Sequence, residues 1–78
     1  MYKANIQLST VERVKDFVTA ISDFDFGVDL VSGRYCVNGK SIMGIFSLDL
    51  SRPIALEAQV PDEAMEAFEK AVDSFKTK

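Results

Sequence analysis

The chemistry open to this chain of 78 residues is narrowed first by what it lacks: it contains no histidine and a single cysteine, Cys36. Imidazole catalysis and histidine-ligated zinc are therefore excluded for these residues. Cys36 has neither a histidine nor a CxxC partner to lower its pKa, and it reads as an inert strand cysteine. It cannot form an internal disulfide, which fits a reducing cytosol, so a cytoplasmic protein is expected. Asp23, Asp25 and Asp29 lack the loop glycine and closing glutamate of a calcium loop and read as a solvated face. Gly33, Gly39 and Gly44 do not form a phosphate-cradling loop, and no carboxylate pair is placed for acid/base work. No metal, no cofactor and no enzymatic activity are expected. What remains is hydroxyl chemistry. Ser9 and Thr10 precede one amphipathic stretch, and Ser41 precedes another. A serine opening a helix can accept from its orphan N–H groups, and a phosphate there would meet the same groups and the positive end of the dipole.

The elements that must hold these residues follow from periodicity. Tyr2–Leu8 alternates, with Tyr2, Ala4, Ile6 and Leu8 on one face, and predicts a half-buried strand. Ser9-Thr10-Val11-Glu12 fits a capping box, with Ser9 as N-cap and Glu12 reaching back. Val11, Val14, Phe17, Val18 and Ile21 then make the apolar stripe of a first helix. Phe24–Val31 alternates with Phe24, Phe26, Val28 and Leu30 inward, and Ser32-Gly33 turns the chain into a hairpin strand over Arg34–Asn38. There Tyr35 and Val37 are expected inward and Cys36 outward.

Ser41 opens a short helix with Ile42, Ile45 and Phe46 at helical spacing and Met43 off that line. Gly44 is a poor helix interior residue, so packing must hold this segment. Ile54, Leu56, Ala58 and Val60 predict a fourth strand after a Ser51-Arg52-Pro53 loop. Pro61 fits the first position of a last helix, whose stripe is Met65, Phe68, Val72 and Phe75, with Lys76 and Lys78 closing it. The order is β-α-β-β-α-β-α without linker or repeat, one domain over residues 1–78. Four alternating strands imply an antiparallel open-faced sandwich of the α+β class.

Composition bounds the partners. An apolar content of 47% with 27% charged residues is that of a globular chain. A net charge of −3 and a pI near 4.7 argue against nucleic acid or an anionic membrane surface. No apolar run is long enough to span a bilayer, and Met1–Leu8 is not expected to be a signal peptide.

The stretch Lys40–Leu48, K-S-I-M-G-I-F-S-L, closely resembles the K-S-I-M-G-(V/I)-M-S-L segment of HPr, the phosphocarrier of the bacterial phosphotransferase system. The likeness runs without gaps from about Val18 to Leu50, and beyond it only the strand–helix pattern persists. It implies the HPr-like sheet order 1-4-2-3 with three helices on one face. It also implies that Ser41 matches the serine modified by HPr kinase/phosphorylase in Gram-positive bacteria. The phosphorylated family members then bind a catabolite-control regulator. Ile42, Met43 and Phe46 match the family's exposed docking patch.

The chain departs from the family at the phosphoacceptor loop, G-(I/L)-H-(A/T)-R-P-A. Counting back from Val18, Thr10 occupies the place of the histidine and Glu12 that of the arginine. Arg13, one position off, supplies a cation only if the register slips and is then a partner-binding residue beside Ile42, Met43 and Phe46. A relay needs a phosphoramidate of high transfer potential, whereas a threonine phosphate is a stable ester, and Glu12 beside it would repel the group. Phosphocarrier activity is therefore not expected. The expected function is regulatory protein–protein contact, switched by phosphorylation at Ser41. Three alternatives stand beside it. The chain could be a carrier using Ser9, Thr10 or Cys36. It could be a small interaction or ligand-sensing domain with only ancestral likeness. It could also self-associate symmetrically through the patch of the second helix, the expected state being a monomer or a weak dimer.

Overall fold

Seven elements build the chain in a computed structural model that describes residues 1–77. Strand β1 (Tyr2–Ile6) leads to helix α1 (Val11–Ile21), and the hairpin β2 (Val28–Ser32) and β3 (Tyr35–Asn38) follows. Helix α2 (Ile42–Phe46), strand β4 (Ile54–Ala58) and helix α3 (Asp62–Asp73) complete it. The sheet is antiparallel throughout, in the order β1-β4-β2-β3. Leu56 stands opposite Ala4 on one side and Leu30 on the other, and Ile54 stands opposite Ile6.

Strand alternation sorts side chains between two faces. Ile6, Val28, Leu30, Ile54, Leu56 and Ala58 are buried under the helices, while Lys3, Asn5, Asp29, Cys36 and Asn38 face outward. Val14, Phe17 and Ile21 of α1 and Phe68 and Val72 of α3 fill the core from the other side. Phe68 is the hub: Tyr2, Phe24 and Phe26 each set a ring 5.3 Å from it, at steep angles that suit aromatic quadrupoles. Burying such a ring stabilises by roughly 1.5–3 kcal/mol, a large share for a domain of this size.

Several boundaries differ from the sequence expectation. Thr10, not Ser9, caps α1, so Glu12 sits too early for the expected capping box. Val11 is then on the outer side of the first turn and is exposed. The first strand ends at Ile6, although Leu8 still reaches the core. Phe24 and Phe26 precede β2, which begins at Val28, where its ladder with β4 starts opposite Ala58. Tyr35 is 70% exposed, not inward. It shares a face with Val37 but lies at the hairpin tip, beyond the cover of the short α2. Gly33 takes φ of 61° and Arg34 does not follow it to positive φ, the pattern of a type II′ turn. Pro61 is the N-cap of α3 instead of its first residue. Lys76 lies past the end of α3 and bridges to Ile6, while Lys78 falls outside the described residues.

Candidate functional site

The hydroxyls singled out in the sequence fall in two places. At the start of α1, Thr10 is extended (φ −133°, ψ 161°), and its Oγ1 accepts from the Arg13 N–H at 3.1 Å. The Arg13 guanidinium turns away from Thr10. Its Nη2 donates to the Ser74 carbonyl at 2.5 Å, and its carbon lies 4.4 Å over the Phe75 ring. That carbonyl belongs to the end of α3, where the helix dipole favours a cation. Phe75 is itself buried edge-on against Phe17 at 5.4 Å. Arg13 thus ties the start of α1 to the end of α3. Ser9 and Glu12 are exposed on the same turn.

The second place is the approach to α2, and its geometry starts at two glycines. A Cβ on Gly39 would stand 2.9 Å from Val28 Cγ1 and 3.1 Å from the Val28 carbonyl, which accepts from Gly39 N–H at 2.7 Å. Only a glycine lets the chain leave β3 this close to β2. The Asn38 Oδ1 accepts from Lys40 N–H at 2.8 Å and the Asn38 carbonyl from Ser41 N–H at 3.0 Å, a side-chain-closed turn. The Lys40 ammonium donates to the Phe24 carbonyl, fastening this turn to the loop before β2.

Ser41 then caps α2: its Oγ accepts from Gly44 N–H at 3.2 Å, and its carbonyl accepts from Ile45 N–H at 3.0 Å. Gly44 sits over β3, where a Cβ would lie 3.3 Å from Val37 Cβ. The residue that weakens the helix locally is therefore the one that seats it on the sheet.

Seated this way, α2 buries Ile45 fully and leaves Met43 77% and Phe46 39% exposed. Ile42 is half-buried against the core and contributes only part of its surface. Ser41 is exposed while serving as cap. Ser41, Met43, Phe46 and the edge of Ile42 thus form one patch. Thr10 and Arg13 make no hydrogen bond to it among the described residues. Sequence reasoning discounted Gly39 and Gly44 because they cradle no phosphate; their close-approach role depends on the strand opposite and carries no local signal. It also passed over the α2–β4 turn, although D-x-S is an Asx-turn pattern. There Asp49 Oδ1 accepts from Ser51 N–H at 3.1 Å and from its hydroxyl at 2.5 Å. The Ser51 hydroxyl bond, then its N–H bond and nearby Arg52, hold the Asp49 carboxyl below its usual pKa.

Among the described residues no helix is long and apolar enough to cross a membrane, and no group of acidic or cysteine side chains is arranged to hold a metal ion.

An open antiparallel sheet ordered β1-β4-β2-β3, covered by three helices of which the second is short and serine-capped, is the architecture of the HPr phosphocarriers. The chain belongs to that family: the model described as "PTS HPr component phosphorylation site" matches residues 11–74. Its members interact with other proteins of the phosphotransferase system. Among solved structures it is similar to HPr-C-His from Thermoanaerobacter tengcongensis, with 29% identity and a TM-score of 0.73 over 95% of this chain and 93% of that one. The phosphocarrier protein HPr from Bacillus anthracis str. Ames shares the fold at 24% identity and a TM-score of 0.71, over 96% and 94%. So does the histidine-containing phosphocarrier protein of Mycoplasma at 17% and 0.69, over 99% and 98%. No curated protein matches the chain significantly in sequence.

Proposed function

We propose that this member of the HPr family acts by protein–protein contact through α2 and does not relay phosphoryl groups. No histidine is present in the 78 residues, and the residue in its place, Thr10, serves as a helix cap. The guanidinium of Arg13, whose backbone N–H Thr10 caps, is engaged by Ser74 and Phe75. A phosphate on Thr10 would be an ordinary ester beside Glu12, with no means of onward transfer.

The observation that carries the reading is the exposure of Met43 and Phe46 beside the solvent-facing cap Ser41. Apolar side chains held out on a short, well-seated helix suit a contact surface. Phosphorylation of Ser41 adds about −1.5 to −2 charge at its border. The ester oxygen can still accept from Gly44 N–H, so the switch alters the surface and leaves the fold in place. By family resemblance the modifying protein is an HPr kinase/phosphorylase, and the reader of the phosphoserine is a catabolite-control regulator.

The experiment is incubation with ATP and HPr kinase/phosphorylase, read by mass, with Ser41→Ala alongside. One added phosphate, lost in the variant, is expected. No phosphate on this chain while ordinary HPr is modified in the same tube would remove the switch. Phosphoenolpyruvate and enzyme I should leave the chain unlabelled.

A further inference from the structure

The two edges of the sheet are treated differently. The outer edge of β1 is covered by the C-terminal segment: Gln7 N–H donates to the Phe75 carbonyl at 2.9 Å, Thr77 N–H to the Asn5 carbonyl at 2.9 Å, and Ile6 bridges to Lys76. Among the described residues no strand pairs with the outer edge of β3, although α2 packs on its face. Its four residues, Tyr35, Cys36, Val37 and Asn38, include no charge and no proline, the usual protections of a free edge.

The register fixes which groups are free. Ser32 and Tyr35 close a two-residue hairpin and so exchange both hydrogen bonds, and that parity continues to Leu30–Val37 and to the bond from Gly39 N–H to the Val28 carbonyl. Cys36 and Asn38 therefore point their backbone groups outward. The Asn38 carbonyl already accepts from Ser41, which leaves Cys36 with both groups free at the centre of the edge.

We infer that β3 is a self-association edge, through which two copies of this chain pair antiparallel about a dyad at Cys36. The two Cys36 residues exchange both backbone bonds, and each Asn38 N–H finds the partner's Arg34 carbonyl. Self-complementarity favours a second copy as the occupant. In this register Tyr35 stands opposite the partner's Val37 on the helix face, an aromatic–β-branched pair made twice by symmetry. Tyr35 gains a neighbour for a ring that is 70% exposed in the single chain.

On the open face, Asn5, Ala55, Val31 and Cys36 form an uncharged row that continues into its own copy. In the next row Lys3, Glu57, Asp29 and Asn38 stand in line. Lys3 balances Glu57, but Asp29 has only a like charge on one side and a neutral amide on the other. Arg34, which forms no ion pair among the described residues, comes opposite the partner's Asn38 and brings a cation toward the partner's Asp29. The other large hydrophobics left exposed near this edge, Met43 and Phe46, lie on α2, which packs on β3. This surface is distinct from the reading of Ser41 and does not depend on it.

The test is sedimentation velocity of the whole protein over a wide concentration range in reducing buffer, followed by diamide treatment. Diamide takes up two electrons and two protons as a pair of thiols becomes a disulfide. A reversible dimer is expected, with rapid Cys36–Cys36 cross-linking, since hydrogen-bonded antiparallel neighbours lie about 5.5 Å apart at Cα and disulfides accept this spacing. Cys36→Ser should dimerise normally without cross-linking. Tyr35→Lys, at an exposed position, should weaken the dimer by about tenfold or more. Cys36→Pro should abolish it, because only an outward N–H is lost. A single sedimenting monomer at every concentration, with no faster cross-linking than a free thiol shows, overturns the inference. So does a dimer that ignores Tyr35→Lys and dissociates with Met43→Asp, which would place the contact on α2.

Discussion

The guanidinium of Arg13 lies 4.4 Å over the ring of Phe75 while donating to the carbonyl of Ser74, so the first turn of α1 is clamped to the end of α3. An arginine near a family's phosphoacceptor position invites a functional reading, yet here one of its donors and its cationic face are used within the fold. Beside this clamp Phe75, in the turn just past α3, meets Phe17 of α1 edge-on.

Arg13→Ala should therefore lower stability by about 1–2 kcal/mol, the sum of a cation–π contact, a charged hydrogen bond and lost stem packing. Urea unfolding measures it. Kinase modification at Ser41 should be unchanged in the folded fraction. A variant as stable as the parent would return Arg13 to the list of free binding residues.

Two adjacent hydroxyls give a sharp comparison. Thr10→Ala removes the side chain that caps Arg13 N–H and should cost about 1 kcal/mol. Ser9→Ala touches an exposed residue with no capping bond among the described residues and should stay within about 0.5 kcal/mol of the parent. Thermal melts of the two variants decide it, and the reverse ranking would put the cap at Ser9.

Met43 is the more exposed of the two apolar side chains that α2 holds out, so Met43→Asp should leave stability within about 0.5 kcal/mol. Binding of the Ser41-phosphorylated chain to a catabolite-control regulator should fall at least about tenfold, as expected when a central apolar contact is replaced by a charge. Titration calorimetry on both forms reads the difference. Unchanged affinity would move the contact surface off α2.

Asp49 supplies a pH dependence with a definite sign. Its folded pKa is lowered, chiefly by the Ser51 hydroxyl, then by the Ser51 N–H and by Arg52. A carboxyl depressed on folding contributes stability that is present above its unfolded pKa and is lost as pH falls through the folded value. Acid titration followed by carboxyl NMR should show Asp49 ionised below the range of an ordinary aspartate, and Ser51→Ala should raise its pKa. Since the side chain is exposed, the effect on global stability should be small.

The strands and the amphipathic helices were legible because alternation and 3.6-residue spacing are local properties, and Ile6, Leu30, Leu56, Phe17 and Phe68 all lie where those periods put them. The sheet order came from likeness to HPr, since alternation carries no information about neighbours. Ser41 as cap of α2 was legible for the same local reason as the helix itself. Thr10 was misplaced by one residue because two hydroxyls in succession offer equal caps, and the path of the chain out of β1 selects between them. Tyr35 was assigned inward because alternation reports a face and says nothing of how far α2 extends above it. The clamp of Arg13 on Ser74 joins distant parts of the chain and has no sequence signal at all.

The coverage of β1 by Phe75 and Thr77 has a consequence for how the chain is made. Within the domain Tyr2–Ile6 is synthesised before its ladder partner Ile54–Ala58 and before Phe75 and Thr77, which cover its outer edge. During synthesis β1 therefore has no strand partner until β4 has been made. Its closure is a late, non-local event of the kind that slows folding. Until then β1 is a bare strand, and Phe75 and Thr77 act as the latch that ends that exposure.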